Sequence, residues 1–238
     1  EFLRTLKEIR QNKFTYLIMF YQLVFVSNLV RQLTTDTALV VNIVLMLALC
    51  FKTRKITKRE NNLFLLTIGG FILINIAPTI MFGLAPKLFL GFACRIFFGF
   101  LIVVYFKHNF FEVFEKSIFA LAFISLPLFL IQIIHLPFFD IFEGFSNLVL
   151  TDERISFGHH ELSGHRYMIV FLVNSWAEFR NSGFMWEPAG FGFMLAWASL
   201  INLFVHRFVL NPRLIVIFIA ALTTFSIGTY IYFSIIII

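Results

Sequence analysis

The stretch FRNSGFMWEPAGFGF, residues 179–193, joins a polar loop to an apolar helix. Pro188 lacks an N–H group and has a preset φ, so it suits the first turn of a helix. Glu187 then stands at the helix N-terminus, where unsatisfied N–H groups favour a carboxylate. Gly183 allows a tight turn that would bring Arg180 back toward Glu187. On local chemistry alone, a helix cap beside an interfacial aromatic residue explains the same residues.

Outside this stretch the chain is mostly apolar. Hydrophobic residues make up 60% of its 238 residues and charged residues only 13%, whereas a soluble domain carries about a quarter charged residues. The net charge of +6 comes from basic residues in short loops, which indicates membrane topology and no nucleic-acid partner. Cys50 and Cys94 lie in apolar runs without a CxxC partner, so neither a disulfide nor a metal framework is predicted.

Seven apolar runs predict an all-α, polytopic transmembrane helical bundle embedded in a lipid bilayer. The runs are residues 14–30, 37–51, 63–84, 88–106, 117–134, 187–205 and 214–238. They divide the chain into spans one to five (1–134), an external loop (135–186), and spans six and seven (187–238). The chain is expected to be a fragment of a longer protein, because it stops within the seventh run.

The basic residues predict the orientation of these spans. Four precede span one, five lie between spans two and three, and two lie between spans six and seven. All three positions share one side if the spans alternate, and the positive-inside rule assigns that side to the cytoplasm. The N-terminus is therefore predicted to be cytoplasmic, and the loop 135–186 external.

The long loop contains patterns of its own. Apolar residues within 138–150 and a helical spacing within 167–179 predict two interfacial helices. Three histidines and a glutamate within 159–165 suggest a metal site, but their spacing matches no HExxH-type motif. A solvated polar loop is the better interpretation, and no metal is predicted.

Polar residues inside two spans leave alternatives open. Arg95 lies about 10 Å from the external end of span four, counted at 1.5 Å per residue. Either its charge reaches the outer interface, or it holds an anionic headgroup by bidentate hydrogen bonds. Thr223, Ser226 and Tyr230 are predicted to share one face of span seven. Their hydroxyls either bond to their own helix or line a substrate groove.

Two motifs resemble those of a known family. Arg180, Gly183, Glu187 and Pro188 form an Arg-x-x-Gly-x-x-x-Glu-Pro pattern that opens a span after a long external loop. A Thr-x-x-Ser-x-Gly-x-Tyr segment follows at residues 223–230. In this order and topology the chain resembles the O-antigen polymerase and O-antigen ligase superfamily, which are multi-span bacterial glycan polymerases and ligases.

The resemblance implies an inverting-type, metal-independent glycosyltransferase of the bacterial inner membrane that needs no cofactor. It implies transfer of a polyprenyl-diphosphate-linked oligosaccharide to a glycan or lipid-linked acceptor at the periplasmic face, with envelope polysaccharide assembly proteins as further partners. Arg180 matches the family's loop arginine, which implies a contact with the diphosphate. Glu187 matches a position often held by His or Glu, where it would either orient Arg180 or assist the acceptor hydroxyl. Both residues are therefore expected to be catalytic. The expected substrate-binding residues are Arg95, Arg166, Trp186, Thr223, Ser226 and Tyr230.

Two other classes of function remain open. A polysaccharide or lipid transporter would use Arg95, and helix breaks at Gly69-Gly70 and Pro78, as parts of a pathway. A non-catalytic scaffold of envelope assembly would not require Arg180. A transporter also predicts internal repeats, and the sequence shows none.

Overall fold

The structure is a computed structural model, and it describes residues 13–26, 36–52, 57–82, 86–134, 166–168, 171–173, 179–185 and 187–237. Within these ranges the regular secondary structure is helical apart from one short hairpin. The elements are α1 (Lys13–Val26), α2 (Asp36–Lys52), α3 (Lys58–Phe82), α4 (Pro86–Phe106), a 3-10 turn (Lys107–Asn109), α5 (Phe110–Ile133), β1 (Arg166–Met168), β2 (Phe171–Val173), α6 (Pro188–Val205), α7 (Pro212–Thr223) and α8 (Ile227–Ile237).

The chain divides into two compact units. The unit of residues 34–110 contains α2, α3 and α4, and both α2 and α3 pack against α4. The ring of Phe64 on α3 lies 5.0 Å from that of Phe97 and 4.5 Å from that of Phe100. The thiol of Cys50 donates to the carbonyl of Leu101 at 3.6 Å. The unit is therefore held by aromatic packing on one side of α4 and by close packing of α2 on another part of it.

The helix α3 begins with a reciprocal cap. The backbone N–H of Thr57 donates to Oε2 of Glu60 at 2.7 Å, and the N–H of Glu60 donates to the Thr57 hydroxyl at 3.3 Å. This is a capping box, which satisfies two N–H groups at the helix start. From there α3 continues to Phe82 without interruption. The helix breaks at Gly69-Gly70 and Pro78 that the transporter alternative would use are therefore not present, since α3 is continuous through both positions.

The second unit contains α1 and everything from α5 onward. In it, α6 packs along both α7 and α8. The side chain of Thr229 on α8 lies against Gly192 on α6, where an added Cβ would overlap the Thr229 hydroxyl. Gly192 therefore allows the two helices to approach closely, as small residues do at helix interfaces.

The predicted seventh span is not one helix. It is divided into α7 and α8, and Phe225 between them has a φ of 45°. Along a straight helix Phe218 and Phe233 would lie about 22 Å apart, yet their ring centroids are 5.7 Å apart. The two helices therefore fold back on each other. At 12 and 11 residues each is too short to cross a bilayer, which takes about 20 residues.

Two other predicted segments also differ. The predicted interfacial helix at 167–179 is wrong, because residues 166–168 and 171–173 form an antiparallel hairpin that pairs Arg166 with Val173. Aromatic and β-branched residues such as Tyr167 and Val173 favour strands. Residues 107–116, between the fourth and fifth apolar runs, are mostly helical, since α5 begins at Phe110. The predicted interfacial helix at 138–150 and the histidines of 159–165 lie outside the described residues.

Among the described residues, two segments are long and apolar enough to cross a membrane: Ala93–Ile133 and Pro188–Val205. The second of these matches the predicted span six. Val40–Lys52, Pro212–Thr223 and Ile227–Ile236 are shorter apolar helices. Because the seventh predicted span is divided into two short helices, the predicted count of seven spans is not confirmed.

Candidate functional site

The loop before α6 has a fixed shape. The Oδ1 atom of Asn181 accepts from the N–H of Gly183 at 2.9 Å, which closes an Asx-turn. Gly183 has a φ of 52°, and an added Cβ there would lie 2.7 Å from the ring of Phe191. Phe184 is fully buried, with its ring 5.8 Å from that of Phe191. The predicted turn at Gly183 is thus confirmed, and both backbone geometry and lack of space require glycine.

This loop contacts the break between α7 and α8, which we call the tip (residues 223–226). The N–H of Asn181 donates to the carbonyl of Thr223 at 2.9 Å. The Nε atom of Arg180 donates to the carbonyl of Thr224 at 3.1 Å. A helix leaves its last four carbonyl groups without partners inside the helix. Two carbonyls at the end of α7 are therefore satisfied by the loop that carries Arg180.

The side chain of Asn181 connects three elements. Its Nδ2 atom donates to the Thr223 hydroxyl at 2.9 Å and to the Ser125 hydroxyl on α5 at 3.2 Å. Asn181 and Ser125 are both fully buried. Asn181 was not among the predicted site residues. An Asn two residues before a Gly is a common turn signature, and it was the one sequence signal that could have identified this residue.

Arg180 is half-buried at the edge of this network. Within the described ranges, its one hydrogen bond is the one from Nε to Thr224. The two terminal NH₂ groups of its guanidinium have no acceptor among those residues. Since a guanidinium carries five N–H donors and stays charged, this side chain is fixed at one nitrogen and has four donors left for a ligand.

Glu187 occupies the N-cap position of α6, as predicted, with φ −123° and ψ 141°. Its side chain makes no capping hydrogen bond, and it is exposed. The described structure contains no ion pair between Glu187 and Arg180, so the predicted approach of the two residues is wrong. Arg180 turns instead to the tip, because the carbonyl of Thr224 is buried there and needs a donor.

The three hydroxyl residues of the predicted seventh span do not share one helix face, because the helix is broken between them. Thr223 ends α7 and Ser226 precedes α8, where its Oγ accepts weakly from the N–H of Thr229 at 3.5 Å. The hydroxyl of Tyr230 donates to the carbonyl of Leu222 at 2.9 Å, which joins α8 to α7. The three groups therefore stabilise the tip. The shared helix face predicted for them is wrong, and their predicted role in binding substrate stays a prediction.

The remaining predicted substrate-binding residues are Arg95, Arg166 and Trp186. Arg95 is half-buried on α4 in the other compact unit, so its predicted role stays a prediction. The backbone of Arg166 lies in β1. Trp186 lies outside the described residues.

A second polar cluster lies in the compact unit that contains Arg180. Glu115 on α5 accepts from Nδ2 of Asn202 at 2.7 Å and from Nη1 of Arg213 at 3.3 Å. Asn211 donates to Oδ1 of Asn202 at 2.6 Å. Glu115, Asn202 and Arg213 are all buried. This cluster was not predicted, because Glu115 and Arg213 lie outside the apolar runs of the sequence. Asn202 inside an apolar helix is nevertheless a signal for a buried polar contact.

No group of three or more His, Cys, Asp or Glu side chains that could hold a metal ion occurs in the part of the chain that the structure describes. The site at the tip therefore consists of one cation, one buried amide and several hydroxyl and carbonyl groups. Comparison with protein-family models, with curated proteins and with solved structures finds no match.

Proposed function

We propose that this protein is a glycosyltransferase of the bacterial inner membrane, of the O-antigen polymerase and ligase type that its motifs resemble. It transfers a polyprenyl-diphosphate-linked oligosaccharide to a glycan or lipid-linked acceptor at the periplasmic face. The predicted spans one to six cross the membrane, with the N-terminus in the cytoplasm. The α7–α8 hairpin takes the place of the seventh span and enters the membrane without crossing it.

The observation that carries this proposal is how Arg180 is held. Its Nε atom is used by the carbonyl of Thr224, while its terminal NH₂ groups have no acceptor among the described residues. A guanidinium fixed at Nε presents its outer edge as a fork, which matches two oxygens of a phosphate. This arrangement supports a contact with the diphosphate of a lipid-linked sugar.

Charge development explains why such a cation accelerates the reaction. An acceptor hydroxyl attacks the anomeric carbon on the face opposite the diphosphate, and a new C–O bond forms as the bond to the diphosphate oxygen breaks. The electron pair leaves with the diphosphate, which gains negative charge. A preorganised cation beside it therefore stabilises the transition state more than the bound substrate.

Glu187 is the residue that we propose accepts the proton of the acceptor hydroxyl. Because it neither caps α6 by its side chain nor pairs with Arg180 within the described structure, its carboxylate is available to accept a proton at the loop surface. An exposed carboxylate near a reacting hydroxyl can act as a general base. We assign Glu187 this role, and we drop the alternative in which it orients Arg180.

A transporter is the second candidate, because the described structure contains a discontinuous helix. In many transporters the carbonyls freed at such a break coordinate a coupling cation. Here the carbonyls of Thr223 and Thr224 already accept from Asn181 and Arg180. The guanidinium of Arg180 thus occupies the position at the break where a transporter would bind an exchangeable cation. This favours the transferase over the transporter.

The test uses cells that depend on the full-length protein for surface glycan. We expect Arg180→Ala to remove long glycan chains, with about a hundredfold loss of transfer rate. Arg180→Lys should retain part of the transfer rate because it keeps the positive charge. It should not retain all of it, because a lysine cannot bond to the carbonyl of Thr224 and form a bidentate contact with a phosphate at the same time. Arg59→Ala, an exposed position on α3, is the matched control. Glycan length is measured on gels and protein level by immunoblot. Normal ladders from Arg180→Ala at normal protein level would contradict the transferase proposal.

A further inference from the structure

The network around Asn181 has only one possible direction of hydrogen bonding. The Ser125 hydroxyl donates to the carbonyl of Ala122 at 2.8 Å, and the Thr223 hydroxyl donates to that of Ala220 at 2.7 Å. Each hydroxyl has a single hydrogen, which is used within its own helix. Both can therefore only accept from residue 181, and that residue must supply two donors.

The other side of the amide has the opposite requirement. The N–H of Gly183 is a donor, so the atom that faces it at 2.9 Å must be an acceptor. A carboxamide is the side chain of this length that combines one acceptor with two donors. Asp has the same shape but, when ionised, it only accepts, and it would bury a charge. The chemistry of the site thus selects Asn at position 181.

We infer that Asn181 is a positioning residue: by joining α5, the loop and the tip, it fixes the guanidinium of Arg180 where the diphosphate of the donor binds. This inference rests on the proposed function. Arg180 has one hydrogen bond of its own to the tip, whereas Asn181 makes three, through its backbone N–H and its two side-chain donors, to groups outside the loop. Removing the two side-chain bonds loosens the backbone next to Arg180, and a displacement of about 1 Å can cost about a hundredfold in rate.

Activity is measured first, with protein level as the control for folding. Asn181→Asp should lower glycan transfer by about a hundredfold, at a protein level close to that of the parent. Ser125→Ala leaves one donor of Asn181 without an acceptor and should lower transfer by at least about tenfold. Ser125→Thr keeps the hydroxyl and should restore transfer. Equal losses in Ser125→Ala and Ser125→Thr would overturn the inference, because they would show that side-chain size and not the hydrogen bond matters.

A cross-link supplies a readout independent of activity. Phe179 and Phe225 are exposed, at 66% and 54%, and flank the bonded pair of Arg180 and Thr224. In a protein whose Cys50 and Cys94 are replaced by Ala, Phe179→Cys and Phe225→Cys are joined by a short bismaleimide. We expect a high yield in the parent and in Arg180→Ala, where the Asn181 contacts remain. Asn181→Asp and Ser125→Ala should lower the yield severalfold.

The two hypotheses fail differently. If Arg180→Ala transfers glycan normally, the proposed function is wrong and the positioning role with it, whatever the cross-link yield. If Arg180→Ala is inactive while Asn181→Asp keeps both parental cross-linking and parental transfer, the proposed function stands and the inference about Asn181 is wrong. The inference about Asn181 is supported if Asn181→Asp loses both cross-linking and transfer while Ser125→Thr retains both. Should Asn181→Asp fail to accumulate, the Ser125 pair decides the question.

Discussion

Gly183 combines a left-handed φ of 52° with a neighbour that leaves no room for a side chain. We expect Gly183→Ala to destabilise the protein by about 1–3 kcal/mol, because the backbone is strained for any residue with a Cβ and the ring of Phe191 must move. Gly99→Ala is the control, since a Cβ there meets nothing within 4 Å. Thermal unfolding in detergent measures both. A Gly183→Ala protein as stable as Gly99→Ala would contradict the described loop.

Glu187 allows a separate test of the proton acceptor. Glu187→Gln keeps the size of the side chain and removes its charge. Because the carboxylate makes no capping bond, we expect no change in protein level and at least about a tenfold loss of glycan transfer, equivalent to 1.4 kcal/mol in the barrier. The same glycan ladders measure it. Transfer at the parental rate would show that Glu187 is the N-cap residue of α6 and has no chemical role.

Individual residues of the site were predictable where a local rule applies. The N-cap position of Glu187, the first-turn position of Pro188 and the turn at Gly183 all follow from local backbone chemistry. The partner of Arg180 did not follow, because it depends on a helix break 44 residues later in the chain. Asn181 was missed for the same reason, since two of its acceptors come from α5 and α7.

Between elements, the buried pair of Glu115 and Arg213 joins α5 to α7. Removal of one partner leaves a buried charge without compensation, so Glu115→Gln should destabilise the protein by about 3–5 kcal/mol. The double variant Glu115→Gln/Arg213→Gln should lose less than the sum of the two single variants. Arg59→Gln is the control, since Arg59 is exposed on α3 and its substitution should change stability by at most about 0.5 kcal/mol. Additive losses would show that the two charges do not interact.

The cap of α3 predicts a pH dependence. The N–H of Thr57, followed by its hydroxyl and the nearby Lys107, lowers the pKa of Glu60, while desolvation opposes this shift. A carboxyl whose pKa is lower in the folded state stabilises it above the ordinary pKa of 4.5, and this contribution is lost as pH falls through the lowered value. We therefore expect the parent to lose its advantage in stability over Glu60→Gln as pH falls below about 4.5. Melting temperatures of both proteins from pH 7 to pH 3 measure it, and parallel curves would contradict it.

The positions of the apolar runs predicted most of the helices, but they could not predict the break in the last run. The segment 214–238 contains no charged residue, and residues 223–226 include neither Gly nor Pro. The break is stabilised by hydrogen bonds from Arg180, Asn181 and Tyr230, which come mostly from distant sequence. Tertiary contacts of this kind override local helix propensity, and no window average detects them.

Across the whole molecule, the α7–α8 hairpin changes the expected topology. A seventh span would place the two ends of the segment 212–237 on opposite sides of the membrane, whereas a hairpin returns them to the same side. We expect Leu210→Cys and Ile235→Cys, both highly exposed, to be unreactive toward an impermeant thiol reagent in intact spheroplasts. Gly158→Cys in the predicted external loop should react and Lys55→Cys should not. Labelling of Ile235→Cys from outside would restore the seventh span.

In the proposed reaction, the bond between Arg180 and Thr224 has a consequence for product release. Thr224 is the C-cap of α7, and the end of a helix carries roughly half an elementary negative charge. The guanidinium that an arriving diphosphate meets is therefore partly compensated before the ligand binds. A partly compensated guanidinium attracts a bound anion less strongly than an uncompensated guanidinium would. The lipid diphosphate product of the proposed reaction can therefore leave. The same helix end thus limits product inhibition while holding the side chain in place.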